Sequence, residues 1–214
     1  MPSNTQKKNH SPIELIVIGA SWGGLDALST VLSPLPSDFS VPILVAQHRK
    51  RNQLETTLLT DILHERCPLK VIDPEDKEEI EAGHIYISPC DYHMLVEDKG
   101  LLALSSEELV NHSRPSIDLL FESAAEAYKK NLLGVILTGA NSDGAKGLSH
   151  IESMGGRCIV QDPETAEMDT MPLAAIAATQ TDEILPLSSI TSVLIEIERE
   201  RNATEGSSIS NKNT

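Results

Sequence analysis

The chain is poor in positive charge and in cysteine, and it holds no long apolar run. Only 17 Lys and Arg stand against 32 Asp and Glu, for a formal net charge of −15 in 214 residues. A general nucleic-acid binder needs a basic footprint, so that class is excluded. The three cysteines, Cys67, Cys90 and Cys158, are an odd and scattered set, which rules out a disulfide framework and fits reduced thiols. No stretch approaches the roughly 18 apolar residues needed to cross a bilayer, and the opening MPSNTQKKNHSP has no apolar signal core. A cytoplasmic protein, not inserted in a membrane, is therefore expected. Internal repeats and interdomain linkers are absent too. Cys90-x-x-His93, with Asp91 or His84, has no second pair at a ligand spacing, so no metal is expected.

What is present is organised around LIVIGASWGG, residues 15–24. A run of aliphatic residues from Leu15 to Ile18 is cut off by Gly19, and a new apolar period opens at Leu25 after Ser21, Gly23 and Gly24. This reads as strand, tight turn and helix. A strand with no polar face is buried on both sides, as in the middle of a parallel sheet covered by helices. Gly19-x-Ser21-x-Gly23 has the spacing of a nucleophile elbow, whose small residues let a serine hydroxyl stand at the rim of a sheet. Backbone N–H groups at the start of the following helix could stabilise an oxyanion there. A phosphate cradle is a competing reading, since glycine-rich strand-to-helix turns also bind phosphates. Neither G-x-G-x-x-G nor G-x-x-x-x-G-K-[ST] can be written onto these residues.

Short apolar runs alternate with helix-length amphipathic segments, which predicts an α/β fold: a doubly wound, mostly parallel sheet with helices on both faces. Strands are expected at Leu15–Ile18, Val41–Ala46, Lys70–Ile72, His84–Ile87, Gly134–Leu137 and Cys158–Val160. Met94–Val96 and Leu101–Leu104 should form an antiparallel hairpin. Helices are expected at Leu25–Leu32, Gln53–Arg66, Ser116–Lys130, Ala145–Met154, from Met171 through Ala178, and at Ile190–Arg199. Ser116 or Ser113 should cap the third, with Pro115 suited to its first turn. Residues 1–11 and 201–214 are polar and aperiodic and are expected to be disordered tails around one domain at 12–200.

Three strongly apolar strands run into a hydroxyl, an imidazole and a carboxylate: Ser21, His48 and Asp143. In an open parallel sheet these strand ends share one edge, where ligands bind. A serine needs a base for its proton, and the base needs a third group to fix its tautomer, so the three can make a triad. Their chain order, Ser, His, Asp, differs from that of the α/β-hydrolases. A bland alternative has Asp143 merely capping the helix that follows it.

GASWGG, the AQH ending the second strand, SRPSIDLLF at 113–121, GVILTGANSDGAKG and QDPETAEMDTMPLAAI at 161–176 resemble the catalytic domain of the chemotaxis protein-glutamate methylesterase (CheB) family. The resemblance runs in order from about Pro12 to about Glu200. It implies a serine hydrolase that removes methyl groups from γ-glutamyl esters on methylated chemoreceptors, releases methanol, uses no cofactor, and in many members deamidates glutamines there. The family's nucleophile falls on Ser21, its base on His48 and its acid on Asp143. Candidates for the oxyanion hole and substrate contacts are Trp22, Gly23, Gly139, Ala140, Asn141 and Arg49. Three positions depart from the family pattern: Trp22 stands where a small threonine is common, and Arg49 and Ala140 where methionine is common.

The family's usual receiver domain has no counterpart in eleven residues, so a stand-alone catalytic domain is expected, constitutively active or gated by a regulatory partner in trans. The basic run Arg49-Lys50-Arg51 beside His48 could draw in a glutamate-rich receptor helix that the acidic chain would otherwise repel. Competing readings are a non-catalytic receptor- or regulator-binding module and a nucleotide-binding α/β protein.

Overall fold

The computed structural model describes residues 11–49, 58–98 and 100–210. Its strands are β1 (Leu15–Ala20), β2 (Ile43–Gln47), β3 (Lys70–Ile72), β4 (His84–Ile87), β5 (His93–Val96), β6 (Leu102–Ser105), β7 (Leu132–Ile136), β8 (Arg157–Gln161) and β9 (Glu183–Leu185). Its helices are α1 (Gly24–Leu32), α2 (Leu58–Arg66), α3 (Ile117–Tyr128), α4 (Ala145–Ser153), α5 (Thr170–Ala178) and α6 (Leu187–Ser210). Seven strands form one sheet in the order β3-β4-β2-β1-β7-β8-β9. Every neighbouring pair in it is parallel, while β5 and β6 make the expected antiparallel hairpin.

Residues alternate across a strand, so β1 feeds two cores. Ile16, Ile18 and Ala20 pack into a layer with α1, α2 and α6, through Leu28, Leu63 and Leu194. Leu15 and Val17 pack into the other with α3, α4, α5 and the hairpin, through Phe121, Leu148, Met171 and Met94. Both faces must be apolar because helices cover both, which is why β1 reads as a continuous hydrophobic run. The chain leaves β1 toward β2 on one side of the sheet and later enters β7 on the other. The carboxyl ends of these three strands therefore meet where the strand order reverses, and a crevice opens there.

Local differences from the sequence reading have local causes. The edge strand β9 was not expected, because three residues flanked by Asp182 and ending before Pro186 carry no periodicity. Its Ile184 is exposed. Ser116 caps α3, accepting from the Leu119 N–H at 3.4 Å, so Pro115 lies before the cap rather than in the first turn. Helix α6 continues past Arg199 to Ser210, where a tail was expected from 201. No proline follows Pro186 to stop it, and Glu198 carries the pattern on by accepting from Asn202 Nδ2 at 3.2 Å. Glu198 also accepts from Ser40 Oγ at 2.8 Å and the Val41 N–H at 3.3 Å, pinning the helix beside the entry to β2. Residues 1–10, 50–57, 99 and 211–214 lie outside the described residues, and with them the start of the helix expected from Gln53 and most of the expected N-terminal tail. No helix among the described residues is long and apolar enough to cross a membrane.

Candidate active site

Ser21 follows β1 directly, and its turn is fixed by backbone bonds on both sides. Its N–H donates to the Thr138 carbonyl beyond β7 at 2.9 Å, and its carbonyl accepts from the Gly24 N–H at 3.0 Å. Gly23 completes the turn at φ +76°, in the left-handed region, and a Cβ there would lie 2.6 Å from Glu167 Oε2. Only glycine fits both demands. His48 follows β2, and its N–H continues the ladder by donating to the Ala20 carbonyl at 3.1 Å. The Gln47 carboxamide then ties the two strand ends together, giving Nε2–H bonds to the carbonyls of Ser21 at 2.6 Å and His48 at 3.1 Å.

The three side chains selected from the sequence meet in a row. His48 Nδ1 stands 3.2 Å from Ser21 Oγ, and His48 Nε2 stands 2.7 Å from Asp143 Oδ2. A carboxylate can only accept, so the ring proton sits on Nε2 and the Nδ1 lone pair faces the serine. Asn141 supports this tautomer: its Oδ1 accepts from the Asp143 N–H at 3.2 Å, which turns its Nδ2–H toward His48 Nδ1 at 3.3 Å. The Asn141 side chain is thus a neighbour of the base.

Asp143 is fully buried. It does not cap α4, whose cap is Gly144 at φ +94°. It caps α3 instead, accepting from the Ile117 N–H at 2.7 Å on Oδ2 and from the Asp118 N–H at 3.3 Å on Oδ1. Oδ1 further accepts from Asn111 Nδ2 at 3.0 Å and Ser116 Oγ at 3.1 Å. Burial pushes its carboxyl up, but the bonds from His48, Asn111 and Ile117 outweigh burial and hold its pKa below the ordinary aspartate value. The group therefore stays ionised beside the imidazole.

The site opens into a cleft of about 770 Å³, lined among others by Ser21, Trp22, His48, Arg49, Leu109, Arg114 and Asn141. Trp22 is 62% exposed at its lip, with its indole N–H bonded to Glu167 Oε1 at 2.7 Å. Arg49 reaches across to the Ser88 carbonyl at 2.6 Å, while Lys50 and Arg51 lie outside the described residues. The Gly139 N–H is spent on the Met168 carbonyl at 3.0 Å and is not available to an oxyanion. The N–H groups of Trp22 and Ala140 make no hydrogen bond among the described residues. The Cys90-x-x-His93 pair does not form a ligand set: buried His93 uses both ring nitrogens, Nε2–H on the Glu108 carbonyl and Nδ1 for the Ser116 N–H, each at 3.1 Å.

The sequence reading missed Gln47, Asn111, Asp118 and Glu167 as parts of this site. Asp118 and Ser116 sit inside the SRPSIDLLF block, where a helix start rich in hydrogen-bonding side chains was the available signal. Asn111 lies in an aperiodic loop and gave none.

The profile of the CheB methylesterase family matches residues 16–194. The chain belongs to this family. A relative from Leptospira interrogans, named provisionally as a protein-glutamate methylesterase/protein-glutamine glutaminase, is 47% identical over 187 residues, 87% of this chain and 95% of the relative. The protein-glutamate methylesterase/protein-glutamine glutaminase of Bordetella parapertussis is 40% identical over 181 residues, 83% of this chain. Those residues make up 51% of the Bordetella protein, so the chain spans about half its length. The crystal structure of the Thermotoga maritima CheB methylesterase catalytic domain superposes with a TM-score of 0.82 at 35% identity, covering 87% of this chain and 100% of that one. The doubly wound parallel sheet is thus the family's fold.

Gly139 acts by leaving room. A Cβ there would stand 2.9 Å from Ser21 Cβ and 2.6 Å from Met171 Cε. The methionine tip can swing away, but Ser21 Cβ is fixed by its backbone. Gly139→Ala should displace the serine by a fraction of an ångström and lower kcat/KM on an ester by about 100-fold, since small misplacements cost that much. Full activity in this variant would show that the Ser21 turn has slack.

Proposed function

We propose that this chain is a serine hydrolase of glutamate γ-methyl esters, acting on a methylated chemoreceptor or similar signalling protein in the cytoplasm. The observation that carries this reading is the unbroken row from Ser21 Oγ through the His48 ring to buried Asp143, at the mouth of an open cleft. The names of the relatives support the substrate class. His48 Nδ1 takes the hydroxyl proton as Ser21 attacks the γ-carbonyl, and the imidazolium is held by Asp143. Methanol leaves with that proton. A water, deprotonated by the same Nδ1, then splits the acyl-serine, returning the proton to Ser21 and releasing glutamate. Trp22 and Ala140 N–H groups are the proposed oxyanion donors. With a glutamine side chain the same steps release ammonia, which is deamidation. No cofactor enters the steps.

A serine-reactive phosphonate, followed by peptide mass spectrometry, tests the reading on the purified chain. Labelling at Ser21 that is lost in His48→Ala is expected, together with methanol release from a methylated receptor peptide. Absence of both would favour a non-catalytic binding module on this fold. Restoration of both by a second protein would identify a regulatory partner in trans.

A further inference from the structure

A second carboxylate lies behind the first. Asp118, on the opening turn of α3, is buried and points at the start of α4, where its Oδ1 accepts from the N–H groups of Gly144 at 2.9 Å and Gly147 at 2.8 Å. Asp143, in the turn before α4, points at the start of α3. Each acid thus serves the neighbouring helix, and the two caps cross. Between them, one nitrogen of Asn111 donates to both, to Asp118 Oδ2 at 2.9 Å and Asp143 Oδ1 at 3.0 Å. All three of these partners of Asp118 are donors and favour its ionised form, opposing the burial that pushes its carboxyl above the ordinary aspartate value.

We propose that Asp118 and Asn111 are positioning residues for the His48–Asp143 pair, Asp118 adding a second buried negative charge behind the imidazolium and Asn111 tempering it with two N–H dipoles. This rests on the reading of His48 as the base. The crossed caps hold the turn of Asp143 rigidly against α3, so the Nε2 acceptor stays in place through both proton transfers. The charge of Asp118 acts through Asp143 rather than on substrate. Glu122 on α3 interacts with both acids and with Lys146 and His150 on α4, and the titratable or charged groups that line the cleft with His48 are Arg49, Arg114, His112, Asp26 and Asp91. Asn111 bridges the two acids, bonding to both through one nitrogen.

The decisive measurement is the ring titration of His48 by NMR in the full chain, which needs no turnover. Asp118→Asn removes negative charge and should move the midpoint to lower pH by about half to one unit; Asn111→Gly removes positive dipole and should move it higher by a smaller step. The acid limb of kcat/KM should follow in the same opposite directions, with kcat reduced about tenfold or more in each. Asn111 is on an exposed loop at φ +50°, so Asn111→Gly, which removes the amide without straining that backbone, keeps the test open even where Asp118→Asn does not fold. A purely structural role predicts lost stability with an unmoved midpoint in both variants, or shifts of the same sign, and either result overturns the proposal. Failure of the hydrolase reading would show separately, as absent phosphonate labelling of the unsubstituted chain.

Discussion

Ser21→Ala is expected to reduce methanol release from a methylated receptor peptide by at least about 1,000-fold while leaving the fold intact. The size follows from what the substitution removes. Without the hydroxyl there is no acyl-enzyme route, and only positioning and oxyanion stabilisation of a direct water attack remain, which still gives about 10³- to 10⁴-fold over water in the best-studied triads. The cost to stability should be small. Ser21 Oγ makes a single 3.2 Å contact to His48 Nδ1, and the turn is held by backbone bonds that alanine keeps. A change in unfolding free energy within about 0.5 kcal/mol is expected, read from chemical denaturation. The freed Nδ1 lone pair has Asn141 Nδ2 at 3.3 Å as its remaining partner, so the ring should not swing away. Retained esterase activity in a folded variant would move the nucleophile elsewhere.

The row of three groups was legible because each stands at the end of a long apolar strand, where hydrophobic patterning is strongest and the parallel fold dictates a shared edge. β1, β2 and β7 all announce themselves in sequence, with no end displaced from its expected position by more than two residues. What holds the row in place was illegible. Asn111 and Asp118 reach Asp143 from 32 and 25 residues away along the chain, through a loop and a crossing of two helices. No local pattern encodes such a meeting. Trp22 shows a subtler limit: its place at the lip of the cleft depends on Glu167, 145 residues on, which bonds its indole N–H. Gly139 was chosen as an oxyanion donor from its place in the turn. Its N–H is instead consumed by the Met168 carbonyl, a pairing that depends on where the loop before α5 returns.

Asp143→Asn is expected to be the most damaging single substitution, since it strikes chemistry and fold together. All five partners of this carboxylate are donors: His48 Nε2, the Ile117 and Asp118 N–H groups, Asn111 Nδ2 and Ser116 Oγ. An amide must turn its NH₂ toward one set of them. Facing His48, it forces the proton onto Nδ1 and leaves the ring unable to accept from Ser21, which costs about 10⁴-fold in kcat when a triad acid is so replaced. Facing Asn111 and Ser116, it buries donors against donors, at about 1–3 kcal/mol for each group left unpaired. The loss of stability should depend on pH with a definite sign. The folded pKa of Asp143 lies below its unfolded value, so its ionised form stabilises the protein above the unfolded pKa near 4, and that contribution disappears as pH falls through the lower folded value. Burial, helped by the charge of Asp143, moves Asp118 the other way, so removing that charge relieves Asp118 and offsets part of the cost at neutral pH. Unfolding free energies measured from pH 7 down to pH 3 should therefore show wild type well above Asp143→Asn at neutrality and the two curves converging in acid. Parallel curves would mean that the carboxylate's charge, as opposed to its shape, contributes nothing to holding α3 against α4.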